Sequence, residues 1–413
     1  MTQLVHEGAG ASAGTDEGLR LIDPVVHVVF TLPTRKDLTA RDLLAAGLRV
    51  PQSRTLTWVD DEMFTRLYRS TVPRPLVGTA AEAVFTSIVD AGGRVADWLP
   101  DLGGVTVQRS VRVYPQGMCA MRLSITLPGE YAVAHVNAFI SQSLDGRLLW
   151  RTDGAADALP CEALLLDVHQ ALRPEDTEVS ATPPYLESFS VVEPTALRPQ
   201  FTDAARYREP EWEKDLFSAA IRRVADFGEV RLDVARERQK NLSIYVGDLV
   251  YLNYNHLLVY VVPDRDHLPA SFYIDVAETV KVLVALLHRF DVDSYRAVAD
   301  LEDVPSRLGA LRRETEALEV RRFEIMRALD TWRMLTAVSA SRSRWFLAAV
   351  TDQFGVATVQ AGVQAKLNEI ELVLGHRYNV SLQRTLQLLA LGVGILSLLA
   401  TGLGIFVSIA QAS

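Results

Sequence analysis

The chain closes with TLQLLALGVGILSLLATGLGIFVSIAQAS, residues 385–413, and carries no charged side chain after Arg384. Leu388 to Ala410 is 23 residues long, with only Ser397, Thr401 and Ser408 weakly polar. About 20 apolar residues are enough to cross a bilayer. A soluble core helix of this length shows a polar face. This one does not, so residues 386–410 are read as a transmembrane helix. A signal peptide is excluded by position.

Upstream, the apolar row Val359, Val363, Leu367, Ile370, Leu374, Tyr378, Leu382 and Leu386 runs into the same segment without a break or a proline. The pattern predicts one helix from Val356 into the membrane segment, roughly 80 Å long at 1.5 Å per residue. Before it, Leu311, Leu318, Ile325 and Trp332 recur every seven residues. The row that would complete the heptad is Leu308, Thr315, Arg322 and Leu329, half of it polar. That is one side of a helical hairpin rather than a free coiled coil. Residues 304–385 are thus expected to form a helical stalk, with TDQFG at 351–355 as its turn.

Within the membrane segment Ala390, Gly394, Ser397, Thr401, Gly404 and Ser408 follow a 4-3-4-3-4 spacing, and Gln383, Gln387 and Gln411 share the register. A period of 3.5 keeps helices in contact by supercoiling. Small residues let backbones approach, and Ser, Thr and Gln bond across helices. Gln387, Ala390, Gly394, Ser397, Thr401, Gly404 and Ser408 are therefore the expected seam of a homo-oligomer, either dry or lining a pore. Lys366, Arg377 and Arg384 lie before the span and only Gln411-Ala412-Ser413 after it. The positive-inside bias predicts a single-pass, tail-anchored protein of the inner membrane, its bulk cytoplasmic and its C-terminus outside.

The remainder reads as α+β. DPVVHVVFTLP (23–33) is a buried strand closed by proline. DDEMFTRLYRS and TAAEAVFTSIVDAGGRVADWL carry apolar residues at helical spacing. GVTVQRSVRVYPQGMCAMRLSITLPG reads as a hairpin turning at Pro115 and Gly117, and EYAVAHVNAFIS as a helix. A similar order returns in YLESFSVVEP, EWEKDLFSAAIRRVADF, a meander at 241–262 with Gly247-Asp248 as a turn, and FYIDVAETVKVLVALLHRF. Two related α/β lobes are expected, 21–175 and 176–300, with RPEDTEVSATPPY (173–185) as linker and residues 1–20 as a disordered tail. The fold class is two α/β lobes, a long helical hairpin stalk and a single C-terminal membrane helix.

Net charge is −9, spread rather than blocked, which argues against a nucleic-acid partner. Arginine bias, with 5 lysines among 42 basic residues, fits a high-GC bacterial genome. Cys119 and Cys161 make neither a zinc nor a disulfide signature. The phosphate-loop, nucleophile-elbow and zincin motifs are missing. DFG at 226–228 and HRFD at 288–291 stand in the wrong order for a kinase. His27 within an apolar strand reads as a satisfied core histidine. Cys161 with His169 reads as core rather than a nucleophile pair. Asp291, Asp293 and Glu302 read as a solvated acidic loop rather than a cation site. No catalytic, cofactor or metal residue is assigned.

The stretch LNEIELVLGHRYNVSLQRTLQLLALGVGILSLLATGLGIF resembles the stalk and first membrane helix of CorA-type divalent-cation channels. That family's Gly-Met-Asn signature has no counterpart, TGLGIF (401–406) standing near where it would fall, and no second membrane helix is seen. Selective Mg²⁺ transport and the family's functional residues therefore do not carry over. The layout is also similar to membrane-tethered proteins of bacterial conflict systems, including those associated with caspase-like peptidases and TPR repeats. The leading expectation is a non-enzymatic, self-associating sensor/effector with a bilayer partner and an unknown protein or small-molecule signal, its output membrane permeabilisation in defence or stress. The alternatives are a CorA-like cation channel and a tail-anchored enzyme with its site in the lobes.

Overall fold

The computed structural model describes residues 18–50, 76–79, 83–85, 87–90, 105–114, 116–144, 148–151, 159–173, 187–221, 236, 239–263, 266–301, 308–337 and 343–412. The tail expected at 1–20, the linker at 173–185 and the helix at 60–70 lie wholly or almost wholly outside them. In chain order the elements are β1 (Arg20–Ile22), β2 (Val25–Pro33), α1 (Ala40–Ala45), β3 (Leu76–Thr79), β4 (Ala83–Phe85), β5 (Ser87–Asp90), β6 (Val105–Tyr114), β7 (Met118–Thr126) and β8 (Glu130–Ala132). There follow α2 (Val133–Leu144), β9 (Leu148–Arg151), β10 (Leu159–Pro160), α3 (Leu166–Leu172), β11 (Glu187–Glu193), β12 (Ala196–Arg198), α4 (Pro210–Ile221), β13 (Leu249–Asn253) and β14 (His256–Tyr260). Four helices complete the chain: α5 (Ala270–Leu301), α6 (Leu308–Ala337), α7 (Arg344–Gln353) and α8 (Val356–Ala412). The chain divides into two compact units, one of residues 1–282 with 339–354, the other of 283–338 with 355–413.

The first unit is built on an eight-stranded sheet of order β13-β14-β11-β2-β7-β6-β3, with β4 also on β6. The segments 21–175 and 176–300 share this sheet. β2 and β11 pair antiparallel at its centre over seven residues, Val25↔Glu193 to Thr31↔Glu187. On either side the second strand of a hairpin lies next to that pair. Direction differs between the halves, since β2/β7 is antiparallel and β11/β14 parallel. Strand order alone therefore repeats.

Alternation along the strands sets the two faces. Val26, Val28, Phe30, Val111, Val113, Met121 and Leu123 face the main apolar core with Val136, Phe139 and Ile140 of α2 and Leu216 and Phe217 of α4. The residues of opposite parity, His27, Arg112, Tyr114, Arg122 and Ser124, lie on the other face, where the first turns of α5 contact Arg112, Tyr114 and Arg122. The β6–β7 turn ends at Gly117, whose φ of +77° suits glycine.

Three expectations are corrected here. Of the helix expected at 79–99, the described residues 83–85 and 87–90 are strands instead: β4 pairs with β6 and β5 with β9. Val84, Phe85, Ile88 and Val89 suit an extended chain, and neighbouring strands supply the backbone partners. The chain does turn at Val246-Gly247, where the Asp248 amide donates to the Tyr245 carbonyl at 3.4 Å, but residues 241–244 are not a strand, and the paired strands β13 and β14 are joined by a second turn at Tyr254-Asn255. Residues 241–248 are instead a loop held by side chains: Asn241 accepts from the amides of Ser243 and Val250 and donates to the Asp248 carbonyl. Finally, TDQFG does turn the chain, at Phe354-Gly355, yet the helix before that turn is not the long α6 but the short α7, which clusters with the first unit. Its Phe346, Leu347 and Val350 are buried, and Phe346 packs on Phe272 and Tyr273.

In the second unit α6 and α8 pack together. Ile325, Ala328 and Leu329 of α6 and Val363, Leu367 and Ile370 of α8 are buried. Arg322 donates to Glu371 at 2.6 Å across the pair, and Lys366 bonds Asp291. Glycines 362, 375, 392 and 394 stand inside α8 without interrupting it.

Candidate functional site

Among the described residues, two places stand out for charge or apolar surface held where protein and water ordinarily disfavour it. One is the α5 face of the sheet. Arg112 and Arg122 project from β6 and β7 toward Asp275 and Glu278, which are one helical turn apart on α5. Arg112 Nη2 lies 2.9 Å from Asp275 Oδ1 and its Nη1 2.8 Å from Glu278 Oε1. Arg122 Nη1 reaches the same two carboxylates at 3.4 and 3.5 Å. One turn after Asp275, Thr279 Oγ1 meets Tyr114 Oη at 2.9 Å.

The side chains of Arg112, Asp275 and Glu278 are under 9% exposed. Burial works against the Arg112 charge, but Glu278 and Asp275 outweigh it and hold the guanidinium protonated, its pKa raised. The two charges of each sign cancel. This arrangement contributes little net stability, yet losing any one member leaves a bare buried charge. Its effect is to fix where α5 sits on the sheet.

Lys281, the next charged residue of α5 after Glu278, bonds to the other half of the sheet. Its ammonium is fully buried, 2.9 Å from Glu187 Oε2 of β11 and 3.1 Å from the Tyr254 carbonyl. It also stands 3.6 Å from the Tyr254 ring centroid and 5.1 Å from that of Phe354. Burial lowers the Lys281 pKa, an effect that Glu187 partly offsets. Burial, then Glu187, pushes the Tyr254 phenol up to about 12. Lys281 lies next to the point where α5 leaves the first unit, and Phe354 at the point where the chain leaves it again into α8. One cation thus ties both exits to the β13–β14 turn.

The other place is the far part of α8. Leu388, Leu389, Leu391, Val393, Ile395, Leu396, Leu398 and Leu399 are each at least half exposed. Among the described residues, α8 is the one helix long and apolar enough to cross a membrane. Of the expected seam, Gln387, Ala390, Gly394, Ser397 and Thr401 are exposed on this helix, and a Cβ added at Gly394 would meet nothing within 4 Å. Gly404 and Ser408 also lie in α8, the Ser408 side chain outside the described ones. Thr401 donates its hydroxyl to the Ser397 carbonyl at 2.8 Å, which satisfies it within the helix. Of the stalk residues, Ile325, Val363, Leu367 and Ile370 are buried and Trp332 is half-buried. Leu311, Leu318 and Leu374 lie in α6 and α8, their side chains outside the described ones.

Cys119 and Cys161 are buried and form no disulfide. His169 is buried and its pKa lowered by that burial. Asp291 is paired with Lys366, whereas Asp293 and Glu302 lie outside the described side chains. His27 bonds through both ring nitrogens, to Ser124 and Glu193. The ionic residues under α5 were missed in the sequence. Their signal was present as charges at core-facing spacing: Arg112 and Arg122 on strands, and Asp275, Glu278 and Lys281 in the otherwise mostly apolar first half of α5. No family model, curated protein or solved structure matches this chain.

Proposed function

We propose that the chain is a membrane-anchored, self-associating protein in which the α/β unit receives a protein or small-molecule signal and the helical unit delivers it to the bilayer. The observation that carries this reading is the exposed apolar stretch of α8. Leaving a large aliphatic side chain in water forfeits roughly 2 kcal/mol relative to burying it. Eight such residues in one helix call for a cover, and a bilayer supplies it along the whole circumference. The charge asymmetry of Lys366, Arg377 and Arg384 supports a cytoplasmic α/β unit. α5 supports the transmission step, because one helix carries both the buried ion cluster and the exit into the second unit.

Membrane fractionation tests the anchor. The full chain should stay in the pellet through alkaline carbonate, and a chain ending at Arg384 should appear in the supernatant. Native mass of the detergent-extracted protein then tests self-association. A carbonate-soluble, monomeric full chain overturns the reading. Dye release from liposomes separates a pore from a passive anchor: a pore releases dye, and Ser397→Leu with Thr401→Leu abolishes the release.

A further inference from the structure

Three adjacent strands bring Ser124, His27 and Glu193 into one hydrogen-bonded line. His27 of β2 pairs directly with Ser124 of β7, and Glu193 of β11 lies opposite Val25. His27 Nδ1 is 2.9 Å from Ser124 Oγ, and its Nε2 is 3.0 Å from Glu193 Oε2. A carboxylate only accepts, so Nε2 carries the ring proton and donates it. Nδ1 is then left with a lone pair, which accepts the Ser124 hydroxyl. The order is nucleophile, base, orienting carboxylate.

We propose that Ser124, His27 and Glu193 form a serine-nucleophile site that cleaves short, polar carboxylic esters. A second pair in the same fold shows what distinguishes this line. Ser190 Oγ is also 2.9 Å from a histidine, His256 Nδ1, while His256 Nε2 donates to the Ala219 carbonyl at 2.8 Å. Ser190 and His256 are both fully buried, so no substrate reaches them. Ser124 is part-exposed, and its cross-strand neighbour Gln108 is exposed.

The surroundings are balanced in charge. Arg122, two residues along β7 on the same face, is paired through Nη1 with Asp275 and Glu278, and its charge and that of Asp275 act on His27 with opposite sign. Gln108 adds a carboxamide donor. With Ser110 and Thr126 beside it and Val25 as the half-buried apolar neighbour on β2, the exposed positions around Ser124 are mostly polar, which suits a short polar acyl group over a long aliphatic one. Burial lowers the His27 pKa, so the imidazole is neutral at pH 7 and able to accept a proton.

In the step itself, Ser124 Oγ gives its proton to His27 Nδ1 and bonds to the ester carbonyl carbon. The carbonyl oxygen becomes an oxyanion. The carbon–oxygen bond to the leaving alcohol breaks, and the alcohol departs with the proton from His27. Water then gives a proton to His27 and attacks the acyl-serine. Release of the carboxylic acid returns the proton to Ser124.

The full chain, extracted in detergent, is treated with a fluorophosphonate probe, and the adduct is located by peptide mass spectrometry. The expected result is one adduct on Ser124, retained in Ser190→Ala and absent from Ser124→Ala. Hydrolysis of p-nitrophenyl acetate should fall roughly a hundredfold in Glu193→Gln, the scale of losing general-base assistance. Wild-type protein without an adduct on Ser124, or ester hydrolysis unchanged in a folded Ser124→Ala, overturns the proposal and leaves the line as a tie between strands. The peptide mapping uses the wild-type chain, so it decides the matter even if a variant fails to fold.

Discussion

Arg112 and Glu278, 166 residues apart in sequence, stand 2.8 Å apart between β6 and α5, both almost wholly removed from water. Their pairing belongs to a four-membered ionic cluster that sets the position of α5. Arg112→Ala should lower stability by about 3–5 kcal/mol, because it leaves buried carboxylates without their main partner. Arg112→Met combined with Glu278→Met should recover most of the loss, since Arg122 and Asp275 remain as a balanced pair. Denaturant titration of both variants checks this. A double variant as unstable as the single one would refute it.

His27 makes stability depend on pH in a defined direction. Burial lowers its folded-state pKa below 6.5, partly offset by the Glu193 bond. Between that lowered value and 6.5 the unfolded chain binds more protons than the folded one, so stability is lost as pH falls through this window. Wild-type protein should therefore lose more stability than His27→Gln on going from pH 7.5 to pH 5. Denaturation at the two pH values measures the difference.

Two glycines with positive φ should differ in their response to alanine. Gly117 has φ +77°, and an added Cβ would lie 2.9 Å from Lys36 Cγ and 3.1 Å from the Thr34 carbonyl. Gly355 has φ +64° with nothing within 4 Å. Gly355→Ala should cost about 1–2 kcal/mol for the left-handed backbone alone. Gly117→Ala should cost more, because the carbonyl is fixed. Thermal melting ranks the two.

Gly394→Leu with Gly404→Leu tests the seam. If α8 associates through its small residues, the detergent-extracted assembly should fall in mass while the α/β unit keeps its melting temperature. An unchanged oligomer would show that another face, or another element, makes the contact.

The sequence by itself determined the elements whose signal is local. The long α8 helix was legible because its apolar row and lack of proline act over neighbouring turns. The β6–β7 hairpin was legible from alternation and Gly117. Tertiary structure decided what depends on distant partners. Residues 83–85 and 87–90 became strands because β6 and β9 offered backbone partners, which a helical spacing of apolar residues does not record. The two α/β segments joined one sheet because β2 and β11 pair across more than 150 residues. The Arg112–Glu278 pair spans 166 residues, as does the His27–Glu193 bond, and the His27–Ser124 bond spans 97. Periodicity reports which face a residue takes, whereas the partner of a buried charge is fixed only when the sheet order and the seat of α5 bring the two together.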